Sequence, residues 1–256
     1  MNSSLDNKKI VVVGSAGLLG SNLVARLLTQ GAEVIAVDLD LNKLESRLAL
    51  SGVDLDDQRL FLQELDITDE PAVRLFFKYQ QGLTGAVNTT YPRNLSYGAH
   101  FFDVSMASFN ENVSLHLGSC FLFTQQCAAY FKAQQSPFSL VNISSVYGVV
   151  APKFGIYEST PMTMPVEYAA IKSATLHLNK YVAAYVNDSR FRINAVSPGG
   201  IFDHQPEAFL KAYQKNTHGE GMLDVEDVMG SIVFLLSEQS KFVTGQNVIV
   251  DDGFSL

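Results

Sequence analysis

Tyr168 and Lys172 stand four residues apart in Tyr168-Ala-Ala-Ile-Lys172, at the head of a stretch with helical patterning. Residues at that spacing project from one helix face about one turn apart. A phenol titrating near pH ~10 is a poor proton donor or acceptor at neutral pH. A neighbouring ammonium favours the phenolate and lowers that value, so the pair is equipped for acid/base chemistry. The same spacing also serves a solvated helix face, and the surroundings must decide between the two.

A second constellation lies near the start of the chain. The β-branched run Ile10 to Val13 leads into Gly14-Ser-Ala-Gly17-Leu-Leu-Gly20 and then into an amphipathic stretch. Strand, glycine loop and helix in that order aim backbone N–H groups and the positive helix end at a pyrophosphate, which suits a dinucleotide. The next strand ends at Asp38, eighteen residues past Gly20. A carboxylate there would accept hydrogen bonds from an adenosine ribose and repel a 2′-phosphate, and no arginine stands in the adjoining loop. NAD is therefore expected rather than NADP.

The elements that must hold these residues alternate along the whole chain. Candidate strands are Ile10 to Val13, Val34 to Val37, Leu60 to Leu65, Ala86 to Val87, Leu140 to Ile143, Ile193 to Val196 and Val248 to Val250. Their short continuous apolar runs suit strands buried on both faces. Between them lie amphipathic stretches at Leu18 to Gln30, Glu70 to Gln80, Phe109 to Gln135, Pro165 to Asn187 and Val225 to Leu236. The spacing predicts a doubly wound α/β fold, with a parallel sheet of seven strands and helices on both faces. Residues 1–256 are read as one domain, with loops at 88–108, 146–165 and 198–220 after strand ends, where ligands of such sheets bind.

Composition removes several function classes. Eighteen Lys and Arg against 26 Asp and Glu leave a net charge of −8, a field that repels nucleic-acid backbones and anionic lipid. Two cysteines, Cys120 and Cys127, supply neither a disulfide framework nor a four-cysteine zinc site and are read as packing groups. His177, His204 and His218 show no metal-ligand spacing, and no metal is expected. Lys8 and Lys9 before an apolar run imitate a signal peptide, but the run reads better as a buried strand. No segment reaches the roughly 20 apolar residues of a membrane span, so a cytoplasmic protein is expected.

Taken jointly and in order, these landmarks resemble the short-chain dehydrogenase/reductase family. The resemblance runs through the loop at 14–20, Asp66-Ile-Thr-Asp, Asn88, Asn142-Ile-Ser-Ser145, Tyr168 to Lys172, Asn194-Ala-Val-Ser-Pro198-Gly199 and Thr244-Gly245-Gln246. It implies an NAD-dependent oxidoreductase with a Rossmann fold. Tyr168 would be the proton donor or acceptor, Lys172 would hold the nicotinamide ribose and tune Tyr168, and Ser145 would orient the reacting oxygen. Asp66 and Ile67 would meet adenine, Pro198 and Gly199 would flank the nicotinamide, and Leu19, Asn88 and Ile201, with Tyr168 itself, would complete the cofactor site.

The departures from the family pattern are specific. Gly17 and Leu18 follow the longer sugar-nucleotide branch, and Asn88-Thr-Thr-Tyr91 replaces the usual Asn-Asn-Ala-Gly. His116 falls where the family carries an asparagine, and it is expected to link Lys172 to solvent and to titrate near pH ~6.5. Tyr91-Pro-Arg93, His116, Met162 to Pro165 and Pro198 to Pro206 look most like bacterial flagellin-modification oxidoreductases, which act in making surface-glycan sugars. Tyr91, Arg93 and Lys153, with His100 and Tyr157, are placed over the nicotinamide, where their polarity suits a hydroxylated or phosphorylated sugar-like substrate. Arg93 and Lys153 read equally well as surface cations.

Two rival readings remain from the sequence: a nucleotide-sugar epimerase or dehydratase with transient NAD reduction, and a noncatalytic NAD-binding module. The short stretch after the sixth strand leaves little room for a nucleotide-sugar lobe. Homo-oligomerisation, as a dimer or tetramer, is implied by the resemblance through the long helices starting near Phe109 and Pro165.

Overall fold

The computed structural model describes residues 4–158 and 160–256. Its seven strands are β1 (Lys9–Val13), β2 (Glu33–Asp38), β3 (Leu60–Glu64), β4 (Gly85–Asn88), β5 (Phe138–Ile143), β6 (Phe191–Pro198) and β7 (Asn247–Val250). All pair in parallel, in the order β3-β2-β1-β4-β5-β6-β7. The order reverses between β1 and β4, and a crevice opens beyond the carboxyl ends of the strands at that point.

Period-two alternation explains why β1 is apolar from Ile10 to Val13. Ile10 and Val12 of β1 join a core with Leu23, Leu27, Met229 and Ile232 on one face. Val11 and Val13 join Phe76, Phe123 and Cys127 on the other. The first layer is built by α1 (Leu18–Thr29), α2 (Leu41–Leu50) and α8 (Glu226–Leu236). The second is built by α3 (Glu70–Tyr79), α5 (Ser119–Gln134) and α6 (Val166–Val186). A third, smaller cluster of Tyr147, Tyr157, Phe209, Tyr213 and Phe254 covers the carboxyl end of the sheet.

The structure corrects the sequence reading at three places. α2 lies in what was taken as connection; only Leu44 and Leu48 of its ten residues are buried. The stretch 198–220 is not all loop, because α7 (Glu207–Gln214) buries Phe209 and Tyr213 one turn apart. The stretch from Phe109 to Gln135 is not one regular helix. It comprises α4 (Met106–Asn112), a wide π-helical turn at Val113–Gly118 and then α5. Such a turn re-aims the side chains that follow it. Among the described residues no helix is long and apolar enough to cross a membrane.

Candidate active site

At the end of β1 the backbone turns through Gly14 at φ +84°. Gly20 packs α1 against this loop so closely that a Cβ would stand 2.2 Å from the Gly14 carbonyl oxygen. Gly17 is the N-cap of α1, no side chain caps the helix, and its first turn holds no acidic residue. The positive helix end therefore faces the crevice uncompensated, which fits an anionic pyrophosphate. The cavity there is about 680 Å³, and Gly14, Gly17, Gly20, Asp38, Asp66 and Ile67 all line it. The Asp38 Oδ2 accepts from the Ala16 N–H at 2.8 Å, so the same carboxylate that faces the cavity also braces the loop.

A second cavity of about 430 Å³ continues from the first, and both share Leu19, Thr89, Thr90 and Tyr91. Pro198, Gly199 and Ile201 line this second part, with Ser145, Tyr168 and Lys172. Asn88 lines neither. It is buried, and its Oδ1 accepts from the Thr90 N–H at 3.1 Å and the Thr90 hydroxyl at 2.6 Å, holding the turn after β4. Asn194 has a similar bracing part, donating to the Val243 carbonyl and accepting from the Gln246 N–H, each at 2.9 Å.

α6 carries Tyr168 and Lys172 on its inner face. The turn after β5 meets it at close range, since a Cβ on Gly148 would lie 2.7 Å from the Lys172 carbonyl carbon. The Ser144 hydroxyl donates to the Lys172 carbonyl at 2.8 Å, which fixes Ser145 relative to the helix. The Lys172 ammonium donates to the Ile143 carbonyl at 2.9 Å and stands 5.6 Å from the Tyr168 ring centroid. Burial pushes the pKa of Lys172 down to about 8. The pKa of Tyr168 is raised, not lowered as the sequence suggested: burial dominates and the Ser145 hydroxyl only opposes it. Tyr168 is therefore a protonated phenol at neutral pH, poised as a donor.

His116 lies in the π-helical turn and is buried. The expectation that it titrates near pH ~6.5 fails. Burial holds the imidazole neutral with its pKa near about 2, and the Lys172 and Arg93 charges add to that effect. Its Nδ1 has no hydrogen-bond partner among the described residues. The ring that joins these groups is Tyr91, edge-on to His116 at 5.0 Å and to Tyr168 at 5.4 Å.

The residues expected over the nicotinamide separate in space. Tyr91 and Tyr157 line the second cavity. Arg93 lines the first, with its guanidinium 4.8 Å above the Tyr91 ring. Lys153 lines neither; it donates to the Phe254 carbonyl at 2.7 Å and sits 4.4 Å above the Phe254 ring. His100 is exposed and also lines neither. The sequence reading missed Tyr97, Tyr147, Phe209, Tyr213 and Met222, which with Met164 give the second cavity an aromatic and thioether wall. Only the pair Phe209 and Tyr213, at helical spacing after Pro206, offered a local signal.

A family model described as enoyl-(acyl carrier protein) reductase matches residues 14–255. The post-translational flagellin modification protein A of Campylobacter coli is 38% identical, over 98% of this chain and 100% of that protein. The 7alpha-hydroxysteroid dehydrogenase of Bacteroides fragilis is 27% identical, over 98% of this chain and 95% of that protein. A crystal structure of a short chain dehydrogenase from Leptospira borgpetersenii with bound NAD+ superposes with a TM-score of 0.87 at 28% identity, covering 100% of this chain and 95% of that one. A match that runs from the glycine loop to the segment beyond β7 leaves no strand but β1 outside it, and the full-length relatives take in β1 as well: the chain belongs to the short-chain dehydrogenase/reductase family of oxidoreductases.

Proposed function

We propose that the chain, acting as one domain, uses NAD to transfer hydride to or from a carbinol or carbonyl carbon of a small hydroxylated, sugar-like substrate. The observation that carries this reading is the position of Tyr168 and Lys172 at the second cavity, directly beyond the glycine-lined one. NAD bound along the crevice would supply or accept the hydride. The protein's own part is then to hold and move one proton. Tyr168 donates it from its hydroxyl to a carbonyl oxygen, or takes it back from an alcohol. Ser145 holds that oxygen, and the Lys172 ammonium stabilises charge on the phenol oxygen.

Asp38, as a carboxylate in the adenosine-side cavity, supports NAD over NADP. Neutral hydroxyls and ring faces dominate the second cavity, where Lys172 is the one cation among the described lining residues. That lining supports a substrate whose reacting end is uncharged, with hydroxyls that tyrosines can bond and apolar faces that rings can cover. The similarity to a flagellin-modification protein supports a sugar-derived compound in surface-glycan synthesis. Exposed Phe121, Tyr181 and Tyr185 on α5 and α6 support assembly as a homo-oligomer through those helices. The test is a screen of purified protein with NAD(H) and NADP(H) against free, N-acylated, phosphorylated and nucleotide-linked sugars, following nicotinamide absorbance. Turnover lost in Tyr168→Phe supports the reading. Substrate conversion without net change in nicotinamide would replace it with an epimerase or dehydratase.

A further inference from the structure

α2, which the sequence reading missed, brings two cations to the adenosine end of the crevice. Its N-cap Asp40 accepts from the Lys43 N–H, which places Lys43 in the first helical turn. The Lys43 side chain is exposed and lines the same cavity as Asp38. One turn on, the Arg47 Nε donates to the Ala16 carbonyl at 3.4 Å. The Ala16 peptide is thus held from both sides, its N–H by the Asp38 carboxylate at 2.8 Å and its carbonyl by Arg47. The other Asp38 oxygen accepts from the Leu39 N–H at 2.9 Å.

Among the described residues lining this cavity the charged groups are Asp38, Asp66 and Asp203 against Lys43 and Arg93. Asp66 is occupied by the Thr68 N–H and hydroxyl, at 2.8 and 2.7 Å. Arg93 lies over the Tyr91 and Tyr97 rings, 4.8 and 5.9 Å from their centroids. Among the described residues Lys43 is engaged in no ion pair. It therefore has its charge free at the end of the cavity where the β2 carboxylate would meet a ribose.

We propose that Lys43 is a cofactor-specificity residue, placed to receive a ribose 2′-phosphate, and that the Asp38 carboxylate keeps this second preference masked. The inference rests on the dinucleotide reading above. Neutralising Asp38 removes the charge that repels the phosphate dianion, while Lys43 remains to attract it. No new cation has to be introduced.

The experiment measures dissociation constants of NADH and NADPH by nicotinamide fluorescence, without any substrate, in the wild type, Asp38→Asn, Lys43→Ala and the double variant. Asparagine keeps an oxygen for the Ala16 N–H, so the loop retains its brace; Asp38→Ser serves as a second neutral variant, with thermal melts as the control on folding. Wild type is expected to favour NADH. Asp38→Asn is expected to bind NADPH about tenfold more tightly than wild type, and the double variant to lose most of that gain. The gain should also shrink with added salt, as befits an exposed ion pair. Tight NADH binding with no gain for NADPH in either neutral variant overturns the proposal, as does a gain that survives Lys43→Ala. A wild type that binds neither dinucleotide overturns the cofactor reading itself and this inference with it.

Discussion

Tyr91 stands edge-on to Tyr168, with ring centroids 5.4 Å apart and planes at 83°. The same ring meets His116 at 5.0 Å, carries the Arg93 guanidinium above it and shares a hydroxyl–hydroxyl bond with Tyr97. A bulky aromatic thus braces the proposed acid/base tyrosine from the β4 side, where the family pattern carries small residues. Tyr91→Phe keeps the edge contact and is expected to change turnover by less than about threefold. Tyr91→Ala removes the brace, and a loss of roughly 2 kcal/mol in stability with at least about a tenfold fall in kcat is expected. Urea unfolding and initial rates check both; equal rates in all three proteins would show that the brace has no part in catalysis.

Tyr168→Phe removes one oxygen and leaves the ring packing. Turnover should fall by at least about a thousandfold while NADH affinity stays within about twofold, because only the titratable oxygen of the proposed proton donor is removed. Fluorescence titration beside rate measurements separates the two effects. Retained turnover would take the proton-transfer role away from Tyr168.

Lys172 links activity and stability with opposite signs. Its folded pKa of about 8 lies below the ordinary 10.5. Between these values the unfolded chain holds a proton that the folded chain lacks, so this group's contribution to stability rises with pH across that window. Below it, burying the charge costs about 3 kcal/mol, from about 1.4 per pH unit. Lys172→Met leaves the Ile143 carbonyl without its donor, which returns part of that gain. The variant is therefore expected to be more stable than wild type by about 1–2 kcal/mol at pH 7, with the advantage vanishing by pH ~10.5, and to be inactive. Carbonyl reduction by the wild type should decline above pH ~8 as the ammonium is lost. Denaturant curves across pH, paired with a pH–rate profile, test the linkage.

His116 is neutral in the fold, with its pKa near about 2. The unfolded imidazole gains a proton below pH ~6.5 and the folded one does not, so folding is penalised by up to about 1.4 kcal/mol for each further unit of acidification. His116→Asn should lose this acid lability between about pH 6.5 and 4.5, and the wild-type rate should show no ionisation that depends on His116. Stability measured over that interval with the same pH slope in both proteins would mean that the imidazole titrates freely.

Phe254 is fully buried between Tyr213, stacked at 4.6 Å, and Tyr147, edge-on at 5.8 Å. Tyr213 in turn accepts from the Gly200 N–H at 2.6 Å beside the proposed nicotinamide site. Phe254→Ala is expected to cost about 3–5 kcal/mol and Lys153→Met about 1 kcal/mol. If calorimetry placed both below about 0.5 kcal/mol, this segment would not be a support of the second cavity.

What the sequence determined by itself is local and periodic. Ile10 to Val13 announces a strand buried on both faces because each alternate side chain needs an apolar partner, and the structure sets Val12 and Val13 in opposite cores. Tyr168 and Lys172 share a face because helical geometry fixes residues four apart. The glycine loop was legible for the same reason, since Gly20 meets Gly14 only six residues back along the chain. α2 and α7 escaped notice because each is short and buries only two residues. Tertiary structure alone decided what meets across the crevice. Tyr91, His116 and Tyr168 come from the turn after β4, a π-helical turn and α6, and Lys153 reaches Phe254 across 101 residues. No spacing along a chain encodes such encounters, and neither does it encode the burial that keeps His116 neutral and draws Lys172 toward pH 8. Desolvation depends on how completely the elements close over a group, and that is settled only when the sheet and both helical layers have packed.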